Sequence, residues 1–346
     1  MSDAATETRS EARSPMDMTT LLFGLFLGTP GWMWLVFVGL VAALLAFDLG
    51  VLHRESREIG VRESLALSAG YIAMGLAFGL WVWHQLGAQA GIEYVTGFVI
   101  EKSLALDNVF VIAMIFGYFA VPRALQHRVL FWGILGVIVL RALMIGAGAA
   151  LVSEFSWVLY VFGAFLVATG VKMWVMADRE TDIGENPLLR FLRRRMRVTD
   201  GFEGERFFVR RTDPATGRAA LFATPLFLAL VLVEAADVIF AVDSVPAIFA
   251  ITTDPFIVYT SNIFAILGLR ALYFALAAMI HRFAYLKYAL AALLVFIGAK
   301  IFVADMLGTG KFPPAVSLAV TFAILAAGIV YSLVRTRAPS NERTDT

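Results

Sequence analysis

The sequence predicts an all-α polytopic membrane protein with about nine transmembrane helices, six of them arranged as two inverted three-helix repeats. Composition is the first observation. Sixty per cent of the 346 residues are hydrophobic and 16% are charged, against about 25% charged in soluble proteins, and mean hydropathy is +0.80. The second is length: apolar runs of about 20 residues, enough to cross a bilayer, recur along the chain. The third is a pair of acidic motifs, each set in such a run and followed by the same order of further charges.

Residues 1–31 are a polar extension. Within it Leu21–Leu27 is apolar but too short to span, and it lacks the basic start and small-residue cleavage site of a signal peptide. A short interfacial helix is expected there. The nine spans fall at about 32–52, 65–86, 93–119, 128–150, 154–176, 223–251, 256–280, 284–307 and 313–334. The transmembrane domain is therefore 32–334, with repeat one at 93–176, a polar loop at 177–222 and repeat two at 223–307. Residues 335–346 form a tail.

Basic residues set the orientation. Arg54, Arg57 and Arg62 follow the first span, and Arg123 and Arg128 follow the third. The 177–222 loop holds ten arginines, among them Arg193, Arg194, Arg195 and Arg197. Arg282 and Lys287 follow the seventh span, and Arg335, Arg337 and Arg343 the ninth. The alternate loops are nearly bare, Lys311 excepted. The positive-inside rule then gives an extracytoplasmic N-terminus and a cytoplasmic C-terminus. Tryptophans at 32, 34, 81, 83 and 132 suit aromatic belts, and His53, His84, His127 and His281 sit near loop ends as interfacial residues.

The formal net charge of +1 offers no field for nucleic acid. With no cysteine in the chain, disulfides, thiolate metal sites and cysteine redox chemistry are excluded. The 177–222 loop reads as a small hairpin, Phe207–Arg211 and Ala219–Phe222 about a turn at Asp213–Gly217. It has no nucleophile–base set and no phosphate loop, so no enzyme and no cofactor are expected. Its basic run is an anchor against anionic lipid.

The repeat rests on charges. Glu101, Asp107 and Asn108 in one copy align with Asp237, Asp243 and Ser244 in the other. Arg141 then aligns with Arg270, Gly170 with Gly298 and Lys172 with Lys300. Because each copy has three spans, the second enters from the opposite side. Inverted repeats of this kind build many secondary transporters, with the site at the midplane between them.

Intramembrane carboxylates are costly. Asp48, Asp107, Asp237 and Asp243 would together cost about 10–14 kcal/mol facing lipid. They must face protein, water or a cation. Residues seven apart share a helix face, which joins Glu101 with Asn108 and Asp237 with Ser244. Asp107 and Asp243 lie about 120° around from Glu101 and Asp237 on an ideal helix. One cation reaches all of them only between helices or at a break, and Pro246 suggests a break after Asp243. Glu234 lies on the stripe beside Asp237. The candidate ligands are therefore Glu101, Asp107, Asn108, Glu234, Asp237, Asp243 and Ser244, with Ser103 as a further hydroxyl. An all-oxygen set favours Mg²⁺, Ca²⁺ or Mn²⁺. Arg141, Arg270, Lys172 and Lys300 are candidate counter-charges, and pairing with them is the plainer role for any single acid. Asp48 is a candidate gate or an interfacial partner of Arg54. Clustered carboxylates exchange protons for metal, which makes protons a candidate counter-ion.

These motifs resemble the TerC/Alx family of bacterial membrane proteins. The resemblance runs from about Trp34 to Val334. It is carried by Phe47–Arg54, Glu101–Asn108, Gln126–Gly133 and the stretch from Glu234 to Arg270. It implies the bacterial cytoplasmic membrane and a role in metal homeostasis, chiefly manganese export, with pH response and tellurite resistance also associated with the family. By motif it points to Glu101, Asp107, Asn108, Glu234, Asp237 and Asp243 as an ion pathway. The expected function is a secondary transporter exporting divalent cations, Mn²⁺ foremost. The alternative is a non-transporting membrane scaffold in stress response, its basic loop recruiting partners.

Overall fold

The computed structural model describes residues 23–52, 60–176, 183–212, 217–277, 280–283, 285–308 and 312–337. Expectations for the first 22 residues, His53, Arg54, Arg57, the turn at 213–216, Lys311 and the tail with Arg343 lie outside the described residues. The chain divides into two units, one ending at Val51 and one starting at Leu52.

In the first unit β1 (Leu25–Phe26) pairs antiparallel with β2 (Thr29–Pro30). A hairpin thus stands where the interfacial helix was expected over Leu25–Leu27. Gly28, at φ 82°, supplies the left-handed turn that a helix cannot use. Trp34 Nε1 closes the hairpin by donating to the Phe26 carbonyl at 3.0 Å. Phe23, Leu25, Phe26 and Leu27 are all exposed, as befits an interfacial element. Helix α1 (Gly31–Leu52) follows and carries Asp48.

The second unit opens with α2 (Val61–Leu86), α3 (Ala88–Tyr118), α4 (Arg123–Glu154) and α5 (Val158–Val175). Helix α6 (Pro187–Arg195) and the antiparallel pair β3 (Phe208–Thr212) and β4 (Ala219–Ala223) make up the polar segment. The predicted hairpin therefore forms. Asn186 caps α6, its side-chain oxygen accepting from the Leu188 N–H at 2.9 Å, as the position before a Pro-led helix favours. Helices α7 (Pro225–Phe249), α8 (Pro255–Ile266), α9 (Leu269–Ala277), α10 (Leu286–Met306) and α11 (Pro314–Arg337) complete the chain. Leu189 of α6 is 1% exposed and packs with Val109, Ile115 and Leu226. The polar segment is thus fastened to the bundle by an apolar contact.

Eight stretches among the described residues are helical, long and apolar enough to cross a membrane: α1, α2, α4, α5, α7, α8 with α9, α10 and α11. Helix α3 occupies the remaining predicted span. It is 31 residues long, but Glu93, Glu101, Lys102 and Asp107 set four charges in its interior. Such a helix must face protein rather than lipid.

The expected break at Pro246 is absent. Helix α7 runs through Pro246 and ends one turn later at Phe249. Proline removes one N–H, and a transmembrane helix absorbs that loss where its neighbours pack closely. The break falls instead between α8 and α9, at Leu267 and Gly268, where φ is 80°. Lys102 meets the freed carbonyls. Its Nζ donates to Ala265 O at 2.9 Å and to Leu267 O at 3.2 Å. A partly buried ammonium therefore caps this helix end.

Helices α5 and α10 pack through glycine. A Cβ on Gly298 would stand 2.5 Å from the Gly163 carbonyl, and one on Gly170 would stand 2.7 Å from that of Ala291. Only small residues allow this backbone approach.

Candidate functional site

Arg141 of α4 is the hub of the buried charges. It is 1% exposed, and Glu101, Asn108, Asp237 and Ser244 around it are all buried. Its Nε and Nη2 donate to the two carboxylate oxygens of Asp237 at 3.3 and 3.2 Å. Its Nη1 donates to Glu101 and, at 3.0 Å, to Ser244 Oγ. The planar fork suits this bidentate grip. Asn108 adds a donor from Nδ2 to Asp237 at 2.9 Å. Two carboxylates from α3 and α7 thus share one guanidinium.

That geometry fixes the Asn108 amide. Its nitrogen must face the Asp237 carboxylate, so its oxygen points away, and Asn108 Oδ1 is buried with no hydrogen-bond partner. A buried acceptor without a donor costs about 1–3 kcal/mol. A cation would satisfy it.

A cavity of about 340 Å³ opens beside the hub, lined by Asp107, Asn108, Thr169, Lys172, Asp243 and Ser244, among others. Asp107 and Asp243 are half-buried and close enough to repel one another. Thr169 hydrogen-bonds Asp243, which also feels Lys172. The four acids therefore divide into two pairs. Glu101 and Asp237 are held by Arg141, whereas Asp107 and Asp243 face the cavity. A smaller void of about 20 Å³, the size of a water site, lies against Asn108, Asp237, Phe240 and Arg270.

Four predicted participants stand elsewhere. Glu234 lines neither cavity. Its carboxylate lies on the bare backbone of Gly136 in α4, and its Oε2 has no hydrogen-bond partner. Three residues before Asp237, it sits on the neighbouring stripe, where the two charges still act on one another. Lys300 donates to Ser317 at 2.9 Å and lines a separate cavity. Ser103 is spent on the Val99 carbonyl at 2.6 Å, an ordinary back-bond of a helical serine. Asp48 is buried in α1 of the first unit. Among the described residues no three His, Asp or Glu side chains converge on one point. A cation here must complete its shell with amide, hydroxyl or water oxygens.

The sequence reading missed Lys102 and Thr169. Lys102 had a signal, an ammonium adjoining Glu101 in an apolar run. Thr169 had none, since a hydroxyl in a transmembrane helix usually bonds its own backbone.

Comparison with known proteins agrees with this architecture. The model of the Integral membrane protein TerC family matches residues 86–340. A membrane protein of Myxococcus xanthus, STKORF319, is 48% identical over 316 residues, covering 91% of this chain and 96% of its own. A membrane protein of Rickettsia bellii is 46% identical over 302 residues, or 87% and 97% of the two chains. Alx of Escherichia coli K12, a proposed membrane-bound redox modulator by its name, is 50% identical over 307 residues, or 86% and 92%. No solved structure matches. The chain belongs to the TerC family of integral membrane proteins.

Proposed function

We propose that this chain is a secondary transporter that exports divalent cations across the cytoplasmic membrane, with Mn²⁺ as its principal substrate. One observation carries the reading. Two carboxylates, Asp107 and Asp243, line a 340 Å³ chamber to which Asn108 also contributes, and the buried Asn108 amide oxygen has no donor. Two hard anionic oxygens and one amide oxygen suit a Mn²⁺, Mg²⁺ or Ca²⁺ ion that retains part of its water shell. Arg141 neutralises Glu101 and Asp237 while the site is empty. An incoming dication at Asp107 and Asp243 adds positive charge beside that guanidinium, which couples occupancy to the packing of α3, α4 and α7.

Inverted repeats are part of the reading. Under the alignment, Gly170 against Ala291 exchanges with Gly298 against Gly163, and both close approaches are present. Likewise Asn108 beside Asp237 exchanges with Ser244 beside Glu101. Such reciprocity favours a two-fold axis in the membrane plane, with the N-terminus outside and the polar segment in the cytoplasm. A redox role, as the name of Alx proposes, could not use thiols in this chain, which has no cysteine.

The test is Mn²⁺ flux in proteoliposomes containing the purified protein. Flux above protein-free vesicles, lost in Asp107→Asn at equal reconstitution, is expected. Flux unaffected by that change would refute the site.

A further inference from the structure

We propose that the cavity around Glu93 and Lys300 is a second station for a divalent cation, in series with the Asp107/Asp243 chamber, and that Lys300 is a tethered cation which the metal displaces. The inference rests on the transport reading above and extends it to a second cavity, where Glu93 was not among the predicted ligands. Its first support is placement. The cavity measures about 310 Å³ and shares four helices, α3, α5, α7 and α10, with the first chamber. Helix α3 gives Asp107 to one and Glu93 to the other, 14 residues away, or about 21 Å along the axis. Helix α7 gives Asp243 to one and its C-terminal residues Phe249 and Ala250 to the other. Helix α5 gives Thr169 and then Tyr160, and α10 gives Leu294 and then Lys300. In α3 and α5 the second cavity lies toward the N-terminus, and in the antiparallel α7 and α10 toward the C-terminus. All four displacements point the same way, so the chambers follow one another along the bundle.

The second support is chemistry. Glu93 is 7% exposed, yet among the described residues its carboxylate accepts one hydrogen bond, from Gln89 Nε2 at 2.9 Å. A buried carboxylate has room for about four such bonds. Lys300, 4% exposed, is near enough for its charge to act on Glu93. The cavity thus already accommodates one positive group. Asp305, hydrogen-bonded with Tyr160, adds a second carboxylate, and the C-terminus of α7 adds the partial negative charge of its last carbonyls. Lys300 is also the residue that the repeat alignment pairs with Lys172, which lines the first chamber. Each chamber therefore holds one lysine beside its acids. A dication entering the second chamber takes over Glu93, and the lysine, already bonded to Ser317, gives up its hold on that carboxylate.

The experiment is Mn²⁺ titration of the purified full-length chain in detergent, with the fold followed by gel filtration and tryptophan fluorescence. Wild type is expected to bind at two sites. Asp107→Asn with Asp243→Asn should leave one of them, adding Glu93→Gln should remove it, and adding Lys300→Gln instead should tighten it at least threefold. The lysine variant keeps the test decisive if Glu93→Gln does not fold. Residual binding that ignores both Glu93→Gln and Lys300→Gln would overturn the station, as would no residual site in the double variant. Binding that is lost with Glu93→Gln but indifferent to Asp107 and Asp243 would support the station while removing the first chamber from the transport reading.

Discussion

Replacing Arg141 tests the charge hub most directly. Arg141→Met removes the only cation hydrogen-bonded to Glu101 and Asp237 among the described residues, and with it four donated bonds. Both carboxylates remain buried, and they already lie close enough to repel one another. Breaking one side of a buried pair costs about 3–5 kcal/mol, or roughly a hundredfold to several-thousandfold in the folding equilibrium. Adding Glu101→Gln and Asp237→Asn removes the uncompensated charges, and the triple variant should recover most of that loss. The assay is reversible unfolding of the purified protein in mixed detergent, followed by tryptophan fluorescence. A single variant as stable as wild type, or a triple variant no more stable than the single, would refute the account of Arg141 as counter-charge. Arg141→Lys separates charge from geometry. A lysine keeps the charge but cannot make the bidentate contact with Asp237, so an intermediate loss is expected.

Lys102→Met strips the cap from Ala265 and Leu267, and charge-assisted bonds of this kind contribute about 1.5–3 kcal/mol each; unfolding in detergent should reveal the loss, and an unchanged midpoint would mean the break is held otherwise. Gly298→Val places methyl groups against the Gly163 backbone, and overpacking of about 1–3 kcal/mol or more is expected, read as loss of folded yield on gel filtration. Gly136→Ala would drive a methyl into the Glu234 carboxylate, so transport should fall and recover with Glu234→Ala if that contact is the cause; no recovery would count against it. Mn²⁺ affinity should rise with pH and then level, because carboxylates ligate only when ionised, and titrations flat from about pH 5.5 to 8.5 would remove proton exchange from the mechanism.

The bundle was legible because a bilayer demands long apolar helices and little else competes with that signal. Helix positions in the second unit follow the predicted spans, and the hairpin after α6 follows its turn residues. Two local features were not legible. Pro246 has the signature of a break, yet α7 continues through it; Gly268 is one glycine among many, yet the chain bends there. What decides is tertiary. Gly268 packs against Tyr71 of α2, whose ring atoms would meet a Cβ at 2.7 Å, and Lys102 of α3 supplies the cap. Neither partner is visible from the sequence around the glycine. The same holds for Leu25–Leu27, where apolar composition suggested a helix and Gly28 dictated a turn.

The acidic motifs were legible as a set but not as individuals. Spacing treats Glu101 with Asp237 and Asp107 with Asp243 as equivalent pairs on two helices. The fold separates them by giving one pair an arginine. Arg141 enters between α3 and α7 at the level of Glu101 and Asp237, so those two acids are saturated while the pair six residues on faces open volume. Lone residues then change meaning: Asn108, drawn by Asp237, must turn its oxygen away from the hub. The oxygens that the arginine does not reach come from residues the sequence could only list together. In the proposed transporter, a dication that neutralises Asp107 and Asp243 would pull on Asn108, which stands between that pair and the hub, and loosen its bond to Asp237 and hence the grip of Arg141. Binding at the cavity and release at the hub are thereby linked through one side chain. Asn108→Ala should for that reason weaken Mn²⁺ binding and leave Arg141 still bound to Asp237, whereas Asn108→Asp should strengthen binding and crowd a third carboxylate onto the arginine.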